Sequence, residues 1–290
     1  MSPAPSTPVI LDGAWATELQ KRGLAIGEPA ELWNLSRPDD VEAVARSYVE
    51  AGAQIILANT FQANPPALRR SGFADEVVAI NREGARISRR AAEGTDVQVF
   101  GSIGPTGSSG LGEQRVVWAF AVQAMALRDG GADGLALETF TDLNEARLAV
   151  RAARAAGLPI VVSFHFDGRS GEPRLFSGET PEEAARAMAD EGAWAVGANC
   201  GTSPDEFDAL CRRLKSATDL PIWIKPNAGI PKIQEGRLVY PISPEAFAAR
   251  LAGWIEAGAS FIGGCCGTGP EFIRALVAAR DSSISCSRPL

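Results

Sequence analysis

Residues 192–201 read GAWAVGANCG, and this segment contains the sequence pattern from which the fold is predicted. Gly192 and Ala193 are typical of a helix end that turns into a strand, because glycine adopts the left-handed conformation that closes a helix. The apolar run 194–198 has the length of a strand buried on both faces of a parallel sheet. The polar pair Asn199 and Cys200 follows at the point where such a strand ends. The segment therefore predicts one unit of helix end, strand and polar strand end.

The same arrangement recurs along the chain. Short apolar runs occur at 9–11, 54–58, 97–101, 134–137, 159–164, 194–198, 221–224 and 260–263. Each run is followed by a bend and then by a stretch with helical spacing. Eight such units in 290 residues fit a closed parallel barrel. We therefore predict a single-domain (β/α)8 TIM barrel over residues 9–280, with a doubly wound open sheet as the alternative. Residues 1–8 are predicted to be disordered or extended, and residues 281–290 to form a solvated tail.

The composition is that of a globular protein and argues against nucleic acid and membranes as partners. Hydrophobic residues make up 46% of the chain and charged residues 22%, which excludes disordered and collagen-like classes. The net charge is -7 and no run of Lys or Arg forms a stripe, so we expect no nucleic-acid partner. The chain has no apolar stretch of about 18 residues and no secretory leader pattern, which predicts a cytoplasmic protein outside the membrane. Small-molecule substrates are expected, and a homo-oligomer is left open.

Three of the five cysteines fall at predicted strand ends. Cys200 follows the sixth strand, and Cys265 and Cys266 follow the eighth strand in a glycine-rich stretch. Because all strands of a parallel barrel end on one face, we expect the three sulfur atoms to lie together. Zinc accepts three thiolates at about 2.3 Å and keeps a fourth position for substrate in catalytic sites. The alternative is three buried structural cysteines, and spacing alone leaves the two interpretations equal.

An open site with three thiolates suits the activation of a substrate thiol. The metal stabilises the thiolate, which then attacks an electrophile without a general base. A free thiol has a pKa of about 8.5 and is otherwise mostly protonated at neutral pH. A zinc hydrolase is disfavoured, because His165 is the single histidine and thiolate ligands weaken the Lewis acidity that hydrolysis requires.

Carboxylates at the same rim indicate an amino-acid substrate. Asp12 and Glu138 each follow an apolar strand, where a charge-assisted hydrogen bond to an ammonium group is strong. We predict that both bind substrate and that Glu138 joins the three cysteines as a catalytic residue. The alternative is that Asp12 caps the first turn and Glu138 pairs with an arginine. Asn59, Ser102 and Asn199, at the ends of three other strands, are further predicted substrate contacts.

These residues lie in motifs that are shared with one family. The motifs are LDGA with TEL at 11–19, NTF at 59–61, GSIGPTG at 101–107, ETF at 138–140, GANCG at 197–201 and GGCCGT at 263–268. Through them the chain resembles the homocysteine S-methyltransferase family over residues 10–278. The resemblance implies a (β/α)8 barrel, one Zn2+ per chain on Cys200, Cys265 and Cys266, and homocysteine contacts from Asp12 and Glu138. It also implies that the product is methionine.

Members of this family differ in their methyl donor, and we expect an onium donor here, with betaine favoured. The segments ELWN at 31–34 and KPNAGIPK at 225–232 look most like bacterial betaine–homocysteine enzymes and the homocysteine module of methionine synthase. Trp15 and Trp33 are the predicted aromatic contacts of the quaternary ammonium, the alternative being ordinary packing. Gln62 and Thr139 stand where animal betaine enzymes carry tyrosine, which weakens the betaine assignment. The alternative donors are S-methylmethionine, dimethylsulfoniopropionate and a methylated corrinoid protein.

Overall fold

The computed structural model describes residue 5 and residues 7–107, 110–168, 171–201, 203–234 and 237–286. Within these ranges, eight parallel strands and their flanking helices form one barrel, which confirms the predicted fold. Parts of the predicted N-terminal segment and C-terminal tail, residues 1–4, 6 and 287–290, lie outside the described residues.

The barrel is closed by strand pairing around its whole circumference. The strands found in the described ranges are β1 (Val9–Ile10), β2 (Ile55–Leu57), β3 (Gln98–Ile103), β4 (Gly134–Phe140), β5 (Ile160–Phe164), β6 (Ala195–Cys200), β7 (Ile222–Pro226), β8 (Lys232–Gln234), β9 (Arg237–Val239) and β10 (Ala259–Ile262). Eight of them pair in the order β1, β10, β7, β6, β5, β4, β3 and β2, each parallel to its neighbours. A parallel bridge between Leu11 and Ile55 closes the circle, and the Asp12 amide donates to the Ile55 carbonyl at 3.1 Å. This closure excludes the doubly wound open sheet.

Helices surround the barrel and follow its strands. Those in the described ranges are α1 (Trp15–Lys21), α2 (Trp33–Ser36), α3 (Pro38–Glu50), α4 (Pro65–Arg70), α5 (Val77–Ala91), α6 (Glu113–Asp129), α7 (Leu143–Ala153), α8 (Pro181–Asp190), α9 (Phe207–Ser216), α10 (Pro244–Ala248), α11 (Leu251–Glu256) and α12 (Pro270–Cys286). Gly192, after α8, has a φ of 71°, as the predicted helix end requires. Across the described ranges, no helix combines the length and the apolar character needed to cross a membrane.

Two apolar layers stabilise this architecture. Inside the barrel lies a cluster formed by Leu11, Ile55, Leu57, Phe100, Ala136, Val161, Ala195, Trp223 and Phe261. The rings of Phe100 and Trp223 stack there with their centroids 5.9 Å apart. Because side chains alternate along a strand, the opposite strand faces pack against the helices in a second, larger cluster. This rigid support leaves the loops at the strand ends to carry the functional groups.

Two elements differ from the sequence prediction. After β7 the chain forms an antiparallel hairpin of β8 and β9, where the repeated pattern predicted only a connection to a helix. The last helix, α12, continues to Cys286, so residues 281–286 of the predicted tail are helical. Arg280 anchors this end, because its Nη1 donates a hydrogen bond to Gln54 Oε1 at 2.5 Å. Residues 281–283 are nevertheless exposed, as a solvated segment would be.

Candidate metal centre

Three cysteine sulfur atoms lie together at the carboxyl ends of the barrel strands. Cys200 is the last residue of β6, and Cys265 and Cys266 lie in the loop after β10. The Sγ atoms of Cys200 and Cys265 are 3.3 Å apart, and those of Cys265 and Cys266 are 4.0 Å apart. All three fall within 4.8 Å of one another. The structure therefore forms the sulfur cluster that the strand ends predicted.

The spacing and the acidity of these sulfurs fit a single metal ion. Three thiolates arranged tetrahedrally at about 2.3 Å from zinc stand about 3.8 Å apart, close to the observed separations. In the protein alone, hydrogen bonds to Cys265 and Cys266, together with burial, raise the pKa of Cys200 well above its usual range. Hydrogen bonds from Cys200 and Cys265 lower the pKa of Cys266 to about 3. A divalent cation bound here would favour the thiolate forms and release protons from the cluster.

Asn199 supports two strained residues beside the cluster. Thr139 and Cys200 have φ angles of 63° and 64°, the only positive values outside glycine among the described residues. Asn199 Oδ1 accepts hydrogen bonds from the Thr139 amide at 2.9 Å and from Ser163 Oγ at 2.7 Å, while Nδ2 donates to Thr139 Oγ1 at 2.7 Å. The same Nδ2 lies 3.5 Å from Cys200 Sγ and 3.9 Å from Cys265 Sγ. Strain of this kind costs about 1–3 kcal/mol and persists only where surrounding contacts fix it.

Asn227 joins the two loops that carry the cysteines. Its backbone amide donates to the Cys200 carbonyl at 3.1 Å, and its Nδ2 donates to the Gly201 carbonyl at 2.9 Å. Its Oδ1 accepts from the Cys266 amide at 3.0 Å. Asn227 was not among the predicted site residues, because these bonds depend on how two distant loops meet. Its position just after the seventh strand was the one signal for it.

Tyr240 brings the hairpin against the second cysteine loop. A Cβ placed on Gly267 would lie 2.2 Å from Cγ of the Tyr240 ring, so the ring packs directly on this glycine. Burial, the charges of Cys266 and Cys265, and a hydrogen bond to Cys266 raise the pKa of Tyr240 above its usual range. The phenol therefore stays neutral beside the sulfurs. Tyr240 was not among the predicted site residues, because it directly follows a hairpin that was not predicted.

Asp12 forms a buried ion pair with Lys225. The two side chains are 1% and 2% exposed, and Lys225 Nζ lies 2.5 Å from Asp12 Oδ1. Asp12 Oδ2 accepts from Trp15 Nε1 at 2.8 Å and from the Leu57 amide at 2.7 Å. Burial opposes the charge of Lys225, but Asp12 and Glu138 raise the pKa of Lys225 above its usual range. Asp12 therefore holds a protonated lysine, and its contact with a substrate ammonium stays a prediction.

Glu138 is a second buried carboxyl group, on β4 beside Ser102 of β3. Ser102 Oγ donates a hydrogen bond to Glu138 Oε1. Burial raises the pKa of Glu138 to about 7, although Lys225 and the Ser102 hydrogen bond act in the opposite direction. Among the described residues no arginine pairs with Glu138, so the alternative role is not observed. This carboxyl group exchanges its proton near neutral pH.

These groups meet in a cavity of about 250 Å³. Its wall includes the cysteines and several polar and aromatic side chains, namely Trp15, Asn59, Phe61, Ser102, Glu138, Thr139, Cys200, Lys225, Cys265 and Cys266. Asn59 faces the cavity, but its Nδ2 donates to the Ala30 carbonyl at 2.8 Å and to Asn34 Oδ1 at 3.0 Å. Asn199 lies behind the cysteines and is not part of the wall. The structure thus gives Asn59 and Asn199 supporting contacts within the protein.

Trp33, a predicted donor contact, does not line this cavity in the structure. Trp33 is 3% exposed, and its Nε1 donates to Glu28 Oε1 at 3.0 Å. The guanidinium of Arg37 lies 3.9 Å from the centre of its ring. Trp33 therefore packs under a loop, the alternative that the sequence had left open. Phe61, from the NTF motif, provides an aromatic ring at the cavity instead.

Comparison with known proteins agrees with this geometry. Residues 9–280 match the family model described as homocysteine S-methyltransferase, a range that spans the barrel and all three clustered cysteines. The chain belongs to the homocysteine S-methyltransferase family. Family membership confirms the resemblance seen in the six sequence motifs.

Relatives in this family include much longer proteins. The chain is 36% identical over 288 residues to methionine synthase from Mycobacterium leprae and, equally, to methionine synthase from Mycobacterium tuberculosis. Each alignment covers 92% of this chain and 24% of the relative. The chain therefore spans about a quarter of the length of these two relatives.

Solved structures of similar size also match. The metallated form of the Escherichia coli homocysteine methyltransferase MmuM is 28% identical, with a TM-score of 0.78 over 94% of this chain and 96% of that one. Its oxidised form is 27% identical, with a TM-score of 0.77 over 93% and 95% of the two chains. The likeness extends over nearly the whole length of both proteins and supports a single barrel.

Proposed function

We propose that this chain is a zinc-dependent S-methyltransferase that moves a methyl group from an onium donor to the sulfur of L-homocysteine and yields methionine. The observation that carries the proposal is the convergence of three thiols and the buried Glu138 on one cavity of about 250 Å³. Membership of the homocysteine S-methyltransferase family supports a thiol acceptor. The metallated form of the similar E. coli enzyme supports a metal at the cysteine cluster.

Cys200, Cys265 and Cys266 are the residues that would hold the zinc. Zinc on three thiolates keeps a fourth position in which a substrate thiol stays ionised at neutral pH. Asn199 and Asn227 fix the loops that carry the sulfurs, so little rearrangement accompanies binding. Such outer contacts usually matter for metal affinity nearly as much as the ligands themselves.

An amino-acid substrate has an ammonium group and a carboxylate group, and the cavity wall contains a residue of opposite charge for each. Glu138 is the group that we assign to the substrate ammonium, since a positive charge beside it favours its ionised form. Ser102 orients this carboxylate through its hydroxyl hydrogen bond. Lys225, held in place by Asp12, lies in the same wall and is the group that we assign to the substrate carboxylate. The amino-acid backbone of the substrate is thus held while its side-chain sulfur points to the cysteine cluster.

The aromatic faces of Trp15 and Phe61 are the surfaces that we assign to the methyl donor. A cation is attracted to such a face when it lies within about 6 Å of the ring centre. Asp12 fixes the Trp15 ring through the Nε1 hydrogen bond. Betaine remains the favoured donor: the sulfur forms a bond to one methyl carbon as the carbon–nitrogen bond breaks. The electron pair stays on the nitrogen, so the leaving tertiary amine requires no proton from the enzyme.

A second candidate function follows from the similarity to methionine synthases. The matched region is only 24% of the length of those relatives, so this barrel corresponds to one part of each methionine synthase. In that case the chain would bind homocysteine and accept the methyl group from a separate methylated corrinoid protein. The thiol acceptor and the cysteine cluster would be the same, and only the donor would differ.

The test is methionine formation by purified, zinc-loaded protein. Homocysteine is combined in separate reactions with betaine, dimethylsulfoniopropionate, S-methylmethionine and methylcobalamin, with chelator-treated protein as the control. Turnover with one onium donor that disappears on zinc removal supports the leading proposal. Turnover with methylcobalamin alone supports the second candidate. Absence of methionine with every donor, at one bound zinc per chain, contradicts the leading proposal and points to a missing partner or a different thiol acceptor.

A further inference from the structure

A second cleft, of about 470 Å³, lies between α4 and α6, apart from the substrate cavity. Its walls include Pro66, Arg69 and Arg70 from α4, Arg115 and Trp118 from α6, and Leu111 from the loop before α6. None of these residues lines the cavity that holds the cysteines. The two cavities thus share no lining residue.

The cleft concentrates positive charge on an acidic protein. The chain has a net charge of -7, yet three guanidinium groups line this one surface. Arg69 and Arg115 are exposed, and neither forms an ion pair with any residue in the described ranges. By contrast, Arg128 at the other end of α6 pairs with Asp129 at 2.7 Å. The guanidinium groups of Arg69 and Arg115 are therefore available to an anion.

Arg70 is an exposed residue in the wall of the cleft that hydrogen bonds hold in place. Its Nη1 donates to the Thr106 carbonyl at 3.2 Å, and its Nη2 lies 3.5 Å from Gln62 Oε1. A guanidinium that is already held by such bonds loses little freedom when a ligand arrives. The cleft is thus partly organised before binding.

Trp118 adds a large aromatic face beside this charge. Its side chain is 56% exposed, which leaves the indole ring in contact with water. Arg115 precedes it by three residues on the same helix, so the two side chains share one helix face. An indole ring pairs with other aromatic rings, and a planar guanidinium group binds carboxylate and phosphate oxygens. The combination recognises a ring and a negative charge on the same molecule.

We propose that this cleft binds an anionic ligand that carries a flat ring. Its phosphate or carboxylate groups pair with Arg69 and Arg115, whose planar guanidinium groups offer paired donors to such oxygens. Its ring stacks on Trp118. Phosphate and carboxylate share this recognition chemistry, and the choice of probes separates them.

The experiment measures binding of four probes by titration calorimetry on the full-length chain at low ionic strength. Adenosine triphosphate supplies a ring with phosphates, and benzene-1,3,5-tricarboxylate supplies a ring with carboxylates. Tripolyphosphate supplies charge alone and adenosine supplies a ring alone. We expect one ring-bearing anion to bind with a Kd below about 1 mM. We expect that probe to bind at least about tenfold more tightly than tripolyphosphate and adenosine.

Substitutions locate the binding. Arg115→Gln and Trp118→Ala, both at exposed positions, are expected to weaken the ring-bearing probe at least about fivefold. Arg128→Gln, on the same helix and away from the cleft, is the matched control and is expected to leave binding unchanged. The proposal is overturned if neither ring-bearing probe binds. It is also overturned if tripolyphosphate binds as tightly as the ring-bearing probes do. An equal effect of Arg115→Gln and Arg128→Gln also overturns it, and thermal melting checks that every variant is folded.

Discussion

The side-chain Nδ2 of Asn199 lies 3.5 Å from Cys200 Sγ and 2.7 Å from Thr139 Oγ1. One amide group therefore contacts both of the non-glycine residues that have positive φ among the described residues. Thr139 lies near the end of β4 and Cys200 is the last residue of β6, with β5 between the two strands. The contact with Thr139 stabilises a strained backbone, and the contact with Cys200 directs a partial positive charge toward a proposed metal ligand.

Replacement of Asn199 is expected to weaken both the fold and the metal site. Asn199→Ala leaves the Thr139 amide and the Ser163 hydroxyl without their acceptor, which costs about 1–3 kcal/mol of unfolding free energy. Zinc affinity is expected to fall about tenfold to a hundredfold. Urea denaturation and competition with a chromogenic chelator measure the two effects. Ser163→Ala, which removes only one donor to Asn199, is the control and should leave zinc affinity nearly unchanged; wild-type affinity in Asn199→Ala would refute the assigned role.

Removal of one clustered cysteine is expected to abolish zinc binding and methyl transfer together. Cys265→Ala leaves two thiolates, which is fewer than an open catalytic zinc site normally has. Zinc content after dialysis and methionine formation are the two readouts. Cys211→Ala is the matched control, because Cys211 is fully buried on α9 and contributes packing alone. Retention of one zinc per chain by Cys265→Ala would show that the cluster is not the metal site.

Substitutions of Asp12 and Lys225, which form an ion pair, are expected to have strongly coupled effects on the free energy of unfolding. Lys225→Met leaves the Asp12 charge buried and unpaired, which costs about 3–5 kcal/mol of unfolding free energy. Asp12→Asn is expected to be similarly destabilising, because the lysine then loses its partner. The double variant, with no buried charge from the pair, should be more stable than the sum of the single effects predicts. Urea unfolding of all four proteins completes the cycle, and additive losses would argue against a coupled pair.

Glu138 is expected to make the metal-free protein less stable as pH rises. Burial raises the pKa of Glu138 from 4.5 to about 7, so the folded protein keeps a proton that the unfolded chain releases earlier. Its contribution to stability is therefore fully present below about pH 4.5 and is lost as pH rises through about 7. The shift corresponds to about 3 kcal/mol. Urea unfolding at pH 5 and pH 8 should show this loss, relative to Glu138→Gln; an identical pH dependence in both proteins would contradict it.

The ring of Trp15 is expected to contribute to donor binding. Trp15→Leu and Trp15→Phe both lose the Nε1 hydrogen bond to Asp12, but only the phenylalanine keeps an aromatic face. A cation–π contact of about 1 kcal/mol predicts a KM for the onium donor about fivefold higher in Trp15→Leu than in Trp15→Phe. Steady-state kinetics at saturating homocysteine measure this difference. Equal donor KM values in the two variants would remove Trp15 from the donor site.

Local signals in the sequence determined the barrel and the members of its cysteine cluster. Apolar runs identified the strands, glycines such as Gly192 marked where helices end, and Cys200, Cys265 and Cys266 each followed a strand. In a parallel barrel all strand ends share one face, so position along the chain was enough to place the sulfurs together. The family motifs lie in these same strand ends.

Tertiary structure alone decided how the surrounding groups are paired. Asp12 and Lys225 are 213 residues apart, and their ion pair depends on the register that closes the barrel. The position of Tyr240 on Gly267 depends on the path of the β8–β9 hairpin, and the loop path also turns Trp33 away from the cavity. Strand periodicity specifies which face a residue occupies, but not which distant side chain it meets there. That choice is made by packing, which no local segment of the chain encodes.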